Sequence, residues 1–208
     1  MMATQLDHLT ITTPSLELGK QFIQEKLGVI PQIGGEHVLM GTHNLLLKLA
    51  DDLFLEVIAP NPYSPQPQRT RWFGLDSLAS SAQAQLRTWV VRTTDIRHTL
   101  EQATEDLGQV ISVSRQRLQW LMSILEDGEL LLGGVLPALI EWQVEQHPAQ
   151  NLTDLGVSLS KLELYHPDPQ RVTRLLNSLQ LNAKVSVVEG SEPKLLAYLQ
   201  TANGEIIL

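Results

Sequence analysis

The chain runs twice through one order of local signals, and this repetition constrains its fold more than any other feature. Leu6-Asp7-His8-Leu9-Thr10-Ile11-Thr12 reads as a strand. Pro14-Ser15 then opens a helix with Leu16, Ile23 and Leu27 on one face, and Gly28 stops it. Strands are expected at about His37 to Gly41, Leu45 to Leu49 and Leu53 to Ile58. After a proline-rich connector the pattern restarts. Arg87 to Thr93 is a strand, Thr94-Asp95 caps a helix faced by Ile96, Leu100, Ala103 and Leu107, and Gly108 ends it. Strands follow at about Gln109 to Ser114, Leu118 to Leu125 and Pro137 to Trp142. Both units read β-α-β-β-β.

A third, shorter unit begins with a strand from Leu159 to Tyr165 and a helix capped by Asp168 with Pro169 in its first turn. Short strands are expected near Val185 to Val188, Leu195 to Leu199 and Glu205 to Leu208. The division is therefore 1–60, a connector over 61–85, 86–150, and a partial β-α-β unit over 151–208. The fold class is α+β.

Each of the first two units ends on a strand that carries an acid. Glu56 shares its face with Phe54 and Ile58, and Glu141 shares its face with Leu139. A carboxylate on an apolar face must be paired, protonated or metal-bound. The bland alternative is pairing with an arginine, with Arg71, Arg92, Arg115 and Arg117 as candidates; for Glu141 a further alternative is that Trp142 faces the cup instead. Aligning Thr12-Thr13-Pro14-Ser15 with Arg92-Thr93-Thr94-Asp95 sets His8 opposite Thr88 and Glu56 opposite Glu141. Lys161 takes the His8 place in the third unit.

Composition excludes several classes. The chain has 208 residues and a formal charge of −8, with no basic stretch, which disfavours nucleic acid. It has no cysteine, so disulfides, thiolate zinc sites and cysteine nucleophiles are excluded. No apolar run approaches a spanning helix, and Met1 to Gln5 does not start a signal segment. These features lead to the expectation of a cytoplasmic protein with a small-molecule ligand and no membrane or nucleic-acid partner. No Gly-rich phosphate loop, nucleophile elbow or Ser-His-Asp set is found, and Gly133-Gly134 reads as a turn.

Four further residues are candidate substrate contacts. His43 lies in Gly41-Thr42-His43-Asn44, read as a hairpin turn. His147 follows the last strand of the second unit and can reach over a shared cavity. Arg115, in Ser114-Arg115-Gln116-Arg117, suits a carboxylate or phosphate, and Arg71 precedes Trp72-Phe73, a lid or an apolar plug. His37 and His98 have no informative setting.

The paired units resemble the vicinal oxygen chelate superfamily. Leu6-Asp7-His8-Leu9, Met40-Gly41-Thr42-His43-Asn44, Leu55-Glu56-Val57-Ile58-Ala59-Pro60, Arg71-Trp72-Phe73-Gly74 and His166-Pro167-Asp168-Pro169 are similar to its glyoxalase-like domain subfamily. The resemblance implies that each module curls into a half-barrel and that the pair forms a cup. It also implies a metal site at His8, Glu56, Thr88 and Glu141, in which Thr88 departs from the ligand type. His8, Glu56 and Glu141 would then hold a divalent ion (zinc, manganese or iron), with Glu56 or Glu141 as the catalytic base. The implied chemistry is a metal-dependent lyase, isomerase or dioxygenase reaction on a small oxygen-rich metabolite. The alternative is metal-free binding or sequestration. By the same resemblance the protein is expected to form a homodimer.

Overall fold

The computed structural model describes residues 4–208. Met1 to Ala3, part of the segment read above as no signal, lie outside the described residues. The first unit comprises β1 (Thr4–Thr12), α1 (Leu16–Leu27), β2 (Gln32–His37), β3 (Thr42–Ala50) and β4 (Leu53–Pro60). The second comprises β5 (Gln85–Arg92), α2 (Ile96–Gln102), β6 (Gln109–Arg115), β7 (Leu118–Ile124) and β8 (Ala138–Trp142). The third holds β9 (Ser158–His166), α3 (Pro169–Ser178), β10 (Leu181–Asn182), β11 (Val185–Glu189), β12 (Lys194–Thr201) and β13 (Gly204–Ile207).

Local chemistry sets the helix ends. Ser15 accepts the N–H of Leu18, Asp95 that of His98 and Asp168 that of Arg171. Gly28, at φ 72°, closes α1 in the left-handed conformation that side chains disfavour. Helix α1 buries Gly19, Ile23 and Leu27, one face at helical spacing. A Cβ on Gly19 would lie 2.3 Å from Val57 Cγ1, so this glycine lets α1 lie close on β4. Helix α2 stops at Gln102, short of Gly108, and Leu107 is buried from the loop that follows.

The two units join edge to edge in a sheet ordered β2-β3-β4-β1-β5-β8-β7-β6, with β10 added parallel to β1. In each unit the first strand runs parallel to the fourth, and β1 meets β5 antiparallel. This arrangement relates the units by a pseudo-two-fold. The sheet curls into a half-barrel until β2 faces β6. Its outer face packs under the helices through Leu9, Ile11, Leu55, Val57, Trp89 and Leu139. Its inner face carries Met40, Ile58, Val90, Trp120, Met122 and Ile140 and forms the cup.

The third unit packs onto the outer core with Leu162, Leu164 and Leu195, but its strand order is β11-β9-β12-β13. Here the two-residue β10 that follows the helix joins β1, and the next strand, β11, pairs directly and in parallel with β9, the strand before the helix. In the first two units the strands that follow the helices, β2 and β6, instead lie at the sheet edges. Lys161 sits on this second sheet, bonded to Glu163 at 2.7 Å, and takes no part in the cup.

Two local expectations are corrected. Strand β2 ends at His37 rather than beginning there, and Val38–Met40 forms a 3-10 turn with Val38 exposed. The Gly34-Gly35 pair hides the strand, because glycine carries no alternating side chain. His43 is not in a turn: it pairs with Glu36 and Ala59 inside β3. Between the units, the connector bends over the cup and inserts Trp72 and Phe73 into the inner core, 2% and 7% exposed. They act as the plug. Among the described residues, no helix is long and apolar enough to cross a membrane.

Candidate functional site

A β-bulge builds the polar centre of the cup. Along β1 the partners on β5 step from Leu6↔Val91 to His8↔Val90, which leaves Asp7 as the extra residue. Leu6 and Leu9 stay in the outer core, while Asp7 and His8 both turn towards the cup.

Asp7 is fully buried and receives three side chains. His8 Nδ1 lies 2.6 Å from Oδ1, and Oδ2 takes Trp142 Nε1 at 2.9 Å and His147 Nε2 at 2.9 Å. Burial alone would raise its pKa, but the bonds from His147 and His8 outweigh it and hold the carboxyl well below the usual range. An ionised carboxylate only accepts, so His8 must carry a proton on Nδ1. In the neutral ring Nε2 is therefore the acceptor atom. The N–H of Ala149 donates to His147 Nδ1 at 3.2 Å, which leaves the His147 Nε2 proton for Asp7. The His8 ring stacks on Phe54, with centroids 4.6 Å apart.

Glu56 faces His8 from β4. Its Oε2 lies 3.7 Å from His8 Nε2 and 3.5 Å from Thr10 Oγ1, and its Oε1 accepts from Asn44 Nδ2 at 2.6 Å. Asn44 Oδ1 in turn accepts from the N–H of Gly35 and from Arg115 Nη1, at 3.0 and 2.9 Å. Arg115 reaches across from β6 because β2 lacks side chains there. A Cβ on Gly34 would sit 2.1 Å from Asn44 Oδ1, and one on Gly35 would sit 2.7 Å from Arg115 Cδ. Burial lowers the Arg115 pKa while Glu56 raises it. Behind Asn44, His37 Nδ1 bonds Thr42 Oγ1 at 3.0 Å, and burial followed by nearby Arg115 pushes its pKa down to about 3.

His8, Asn44, Glu56 and Arg115 line one cavity with Phe54, Trp72, Trp120 and Trp142. It is small, with room for about two waters.

Glu141 does not join them. Its Oε2 accepts the N–H of Ile96 at 2.8 Å and its Oε1 accepts from Gln143 Nε2 at 2.7 Å, so it caps α2 on the outer face. Trp142, one residue on, takes the inner face. Backbone register explains the displacement. Thr13 N–H bonds Ile58 O in the first unit, and Thr93 N–H bonds Ile140 O in the second. Two residues earlier on each strand, Glu56 pairs with Thr10, and Ala138 pairs with Val90. Ala138 is therefore the counterpart of Glu56, and Glu141 is the counterpart of Ala59.

The other expected contacts divide. His147 reaches the site through Asp7. His43 projects on the face of β3 opposite Asn44 and is absent from the cavity lining; burial lowers its pKa and Glu36 raises it. Arg71 ties the connector down through Asp76 and the carbonyl of Gly41. Asp7, Asn44 and Trp120 were not anticipated as lining or supporting the cup.

These donors do not fit a resident divalent ion. Of the four positions implied for one, His8, Glu56, Thr88 and Glu141, the last lies outside the cup and Ala138 stands in its place, so only His8 and Glu56 are ligands of the usual kind there. Protein metal sites take three or four such donors. Among the described residues, no group of three or more His, Asp or Glu is arranged to hold an ion.

Tandem βαβββ modules curled into one cup define a protein of the vicinal oxygen chelate fold. The profile of the glyoxalase-like domain matches residues 6–180, and the chain belongs to that family. No curated protein matches it. A hypothetical protein from Staphylococcus aureus superposes with a TM-score of 0.65 at 12% identity, covering 93% of this chain and 88% of that one. A methylmalonyl-CoA epimerase from Streptomyces coelicolor, in complex with 2-nitronate-propionyl-CoA, aligns with a TM-score of 0.47 at 15% identity. That alignment covers 71% of this chain and 100% of the epimerase. The Mycobacterium tuberculosis methylmalonyl-CoA epimerase gives 0.43 at 18% identity, over 68% and 92% of the two chains.

Proposed function

We propose that the cup binds a small oxygen-rich metabolite and moves a proton on it without a resident metal. The observation that carries this reading is the facing pair of His8 Nε2 and Glu56 Oε2, 3.7 Å apart in one cavity. Each is held from behind by its own partner, Asp7 or Asn44. Such an arrangement suits general acid–base work, which needs a positioned acceptor whose other atoms are fixed. His8 takes a proton from a carbon beside a carbonyl through Nε2, while Asp7 stabilises the imidazolium that forms. Glu56 Oε2 stays free to give or receive a second proton. The reaction class is isomerase or lyase. Sequestration without turnover is a second reading, favoured by the aromatic lining and by the plug of Trp72 and Phe73.

Deuterium incorporation from D2O tests the choice. Chelator-treated protein is incubated with a panel of small 2-oxo and 3-oxo acids and their esters, and exchange is followed by NMR. At least one compound is expected to exchange beside its carbonyl, with His8→Gln slowing exchange by roughly 100-fold or more. Tight binding with no exchange by any compound that binds would support sequestration instead.

A further inference from the structure

Resting on that assignment of the cup as the ligand site, we infer that the ligand is a compact carboxylate, seated between the guanidinium of Arg115 and the indole N–H of Trp72. Two independent features of the cavity lead there. Arg115 lines it with a single hydrogen bond, to a neutral amide, and no carboxylate within 4 Å among the described residues. This half-buried guanidinium feels the charge of Glu56 but makes no contact ion pair with it, and its remaining donors present a planar fork that matches a carboxylate. Trp72 lines the same cavity, is 2% exposed, and buries its Nε1 without an acceptor among the described residues. A buried donor left unmade carries its full desolvation penalty. Both defects are donors in want of an acceptor, and one carboxylate supplies acceptors for both. The basic atom of the site, His8 Nε2, lines the same cavity, and Asn44 bonds both Glu56 and Arg115. A carboxylate seated on Arg115 therefore shares one small cavity with the proton-moving pair. The small free volume limits the ligand to a few carbons unless the plug moves.

Tryptophan fluorescence reads ligand entry directly, because Trp72, Trp120 and Trp142 all line the cavity. Malonate, pyruvate and succinate serve as probes, with malonamide as the neutral isostere and inorganic phosphate as the non-planar anion. At least one carboxylate is expected to bind saturably while malonamide and phosphate do not. Arg115→Gln is expected to weaken that binding by roughly 10- to 100-fold, Arg115→Lys to recover part of the loss, and Trp72→Phe to weaken it by about three- to tenfold. Failure of every carboxylate to bind overturns the inference. So does equal binding of malonamide, binding of phosphate alone, or an Arg115→Gln protein that binds like the native one. Should Arg115→Gln fail to fold, the malonate–malonamide comparison on the native protein and Arg115→Lys still decide. His8→Gln separates the two claims. If carboxylates bind in an Arg115-dependent way but no proton exchanges, the proton-transfer reading falls alone. If neutral esters exchange as fast as acids, and Arg115→Gln leaves that rate unchanged, the carboxylate inference falls alone.

Discussion

Buried His37 gives the protein a pH-dependent weakness that can be sized from the structure. Its ring is 2% exposed, edge-on to Trp72 and Trp120, with Nδ1 on Thr42 and Nε2 accepting weakly from Asn44. Burial, and then Arg115, lower its pKa from 6.5 to about 3. A depressed folded pKa means that the unfolded chain binds a proton first. The stability this neutral ring contributes is full above 6.5, declines through the acid range and is gone below about 3. Each pH unit inside that window is worth about 1.4 kcal/mol. The structure therefore predicts a loss of about 3 kcal/mol between pH 7 and pH 4 from this residue alone. Other carboxylates titrate over the same range, so the quantity to measure is a difference. His37→Gln keeps hydrogen-bonding capacity but cannot titrate. Urea unfolding of both proteins at pH 7, 6, 5 and 4 should show the native advantage over the variant shrinking by about 3 kcal/mol as pH falls. A gap that is constant with pH would refute the account of His37 as a buried neutral ring.

Four further outcomes follow from the same contacts. Asp7→Asn should cost about 3 kcal/mol in urea unfolding at pH 7, because three donors lose their ionised acceptor. That loss should fade as pH falls below the ordinary carboxyl range, since the folded pKa is lowered. Glu141→Ala should destabilise by roughly 1 kcal/mol through the bare first turn of α2, and leave proton exchange in the cup unchanged. Gly34→Ala should cost about 1–3 kcal/mol by overpacking, because its Cβ would overlap Asn44 and Leu46. Thermal shifts with Zn²⁺, Mn²⁺ and Fe²⁺ should show no saturable stabilisation of the native protein, whereas a degree-scale rise at micromolar ion would contradict the two-donor description.

Periodicity located the repeat because each unit carries a capped helix between alternating strands, and Ser15, Gly28, Asp95 and Asp168 all act at the helix ends where their chemistry puts them. It failed where side chains stop alternating. Gly34-Gly35 concealed β2, and the bulge at Asp7 changed which residues of β1 share a face. Glu56 was legible because Phe54 and Ile58 flank it on the cup face. Glu141 looked equivalent by the same rule, yet backbone register, which no single-strand pattern contains, pairs Ala138 with the Glu56 position. Arg115 meets Asn44 from 71 residues away, a contact made only by the closing of the sheet.

The pairing of His8 with Glu56 is tested most directly by the imidazole nitrogens themselves. In ¹⁵N-labelled protein, long-range proton–nitrogen NMR reports which ring nitrogen of His8 carries hydrogen. The account predicts a proton that stays on Nδ1, facing Asp7, across the folded pH range. His8 signals should shift in Glu56→Gln, and Mn²⁺ should leave them unbroadened. A neutral ring protonated on Nε2, or His8 resonances bleached by equimolar Mn²⁺, would contradict it.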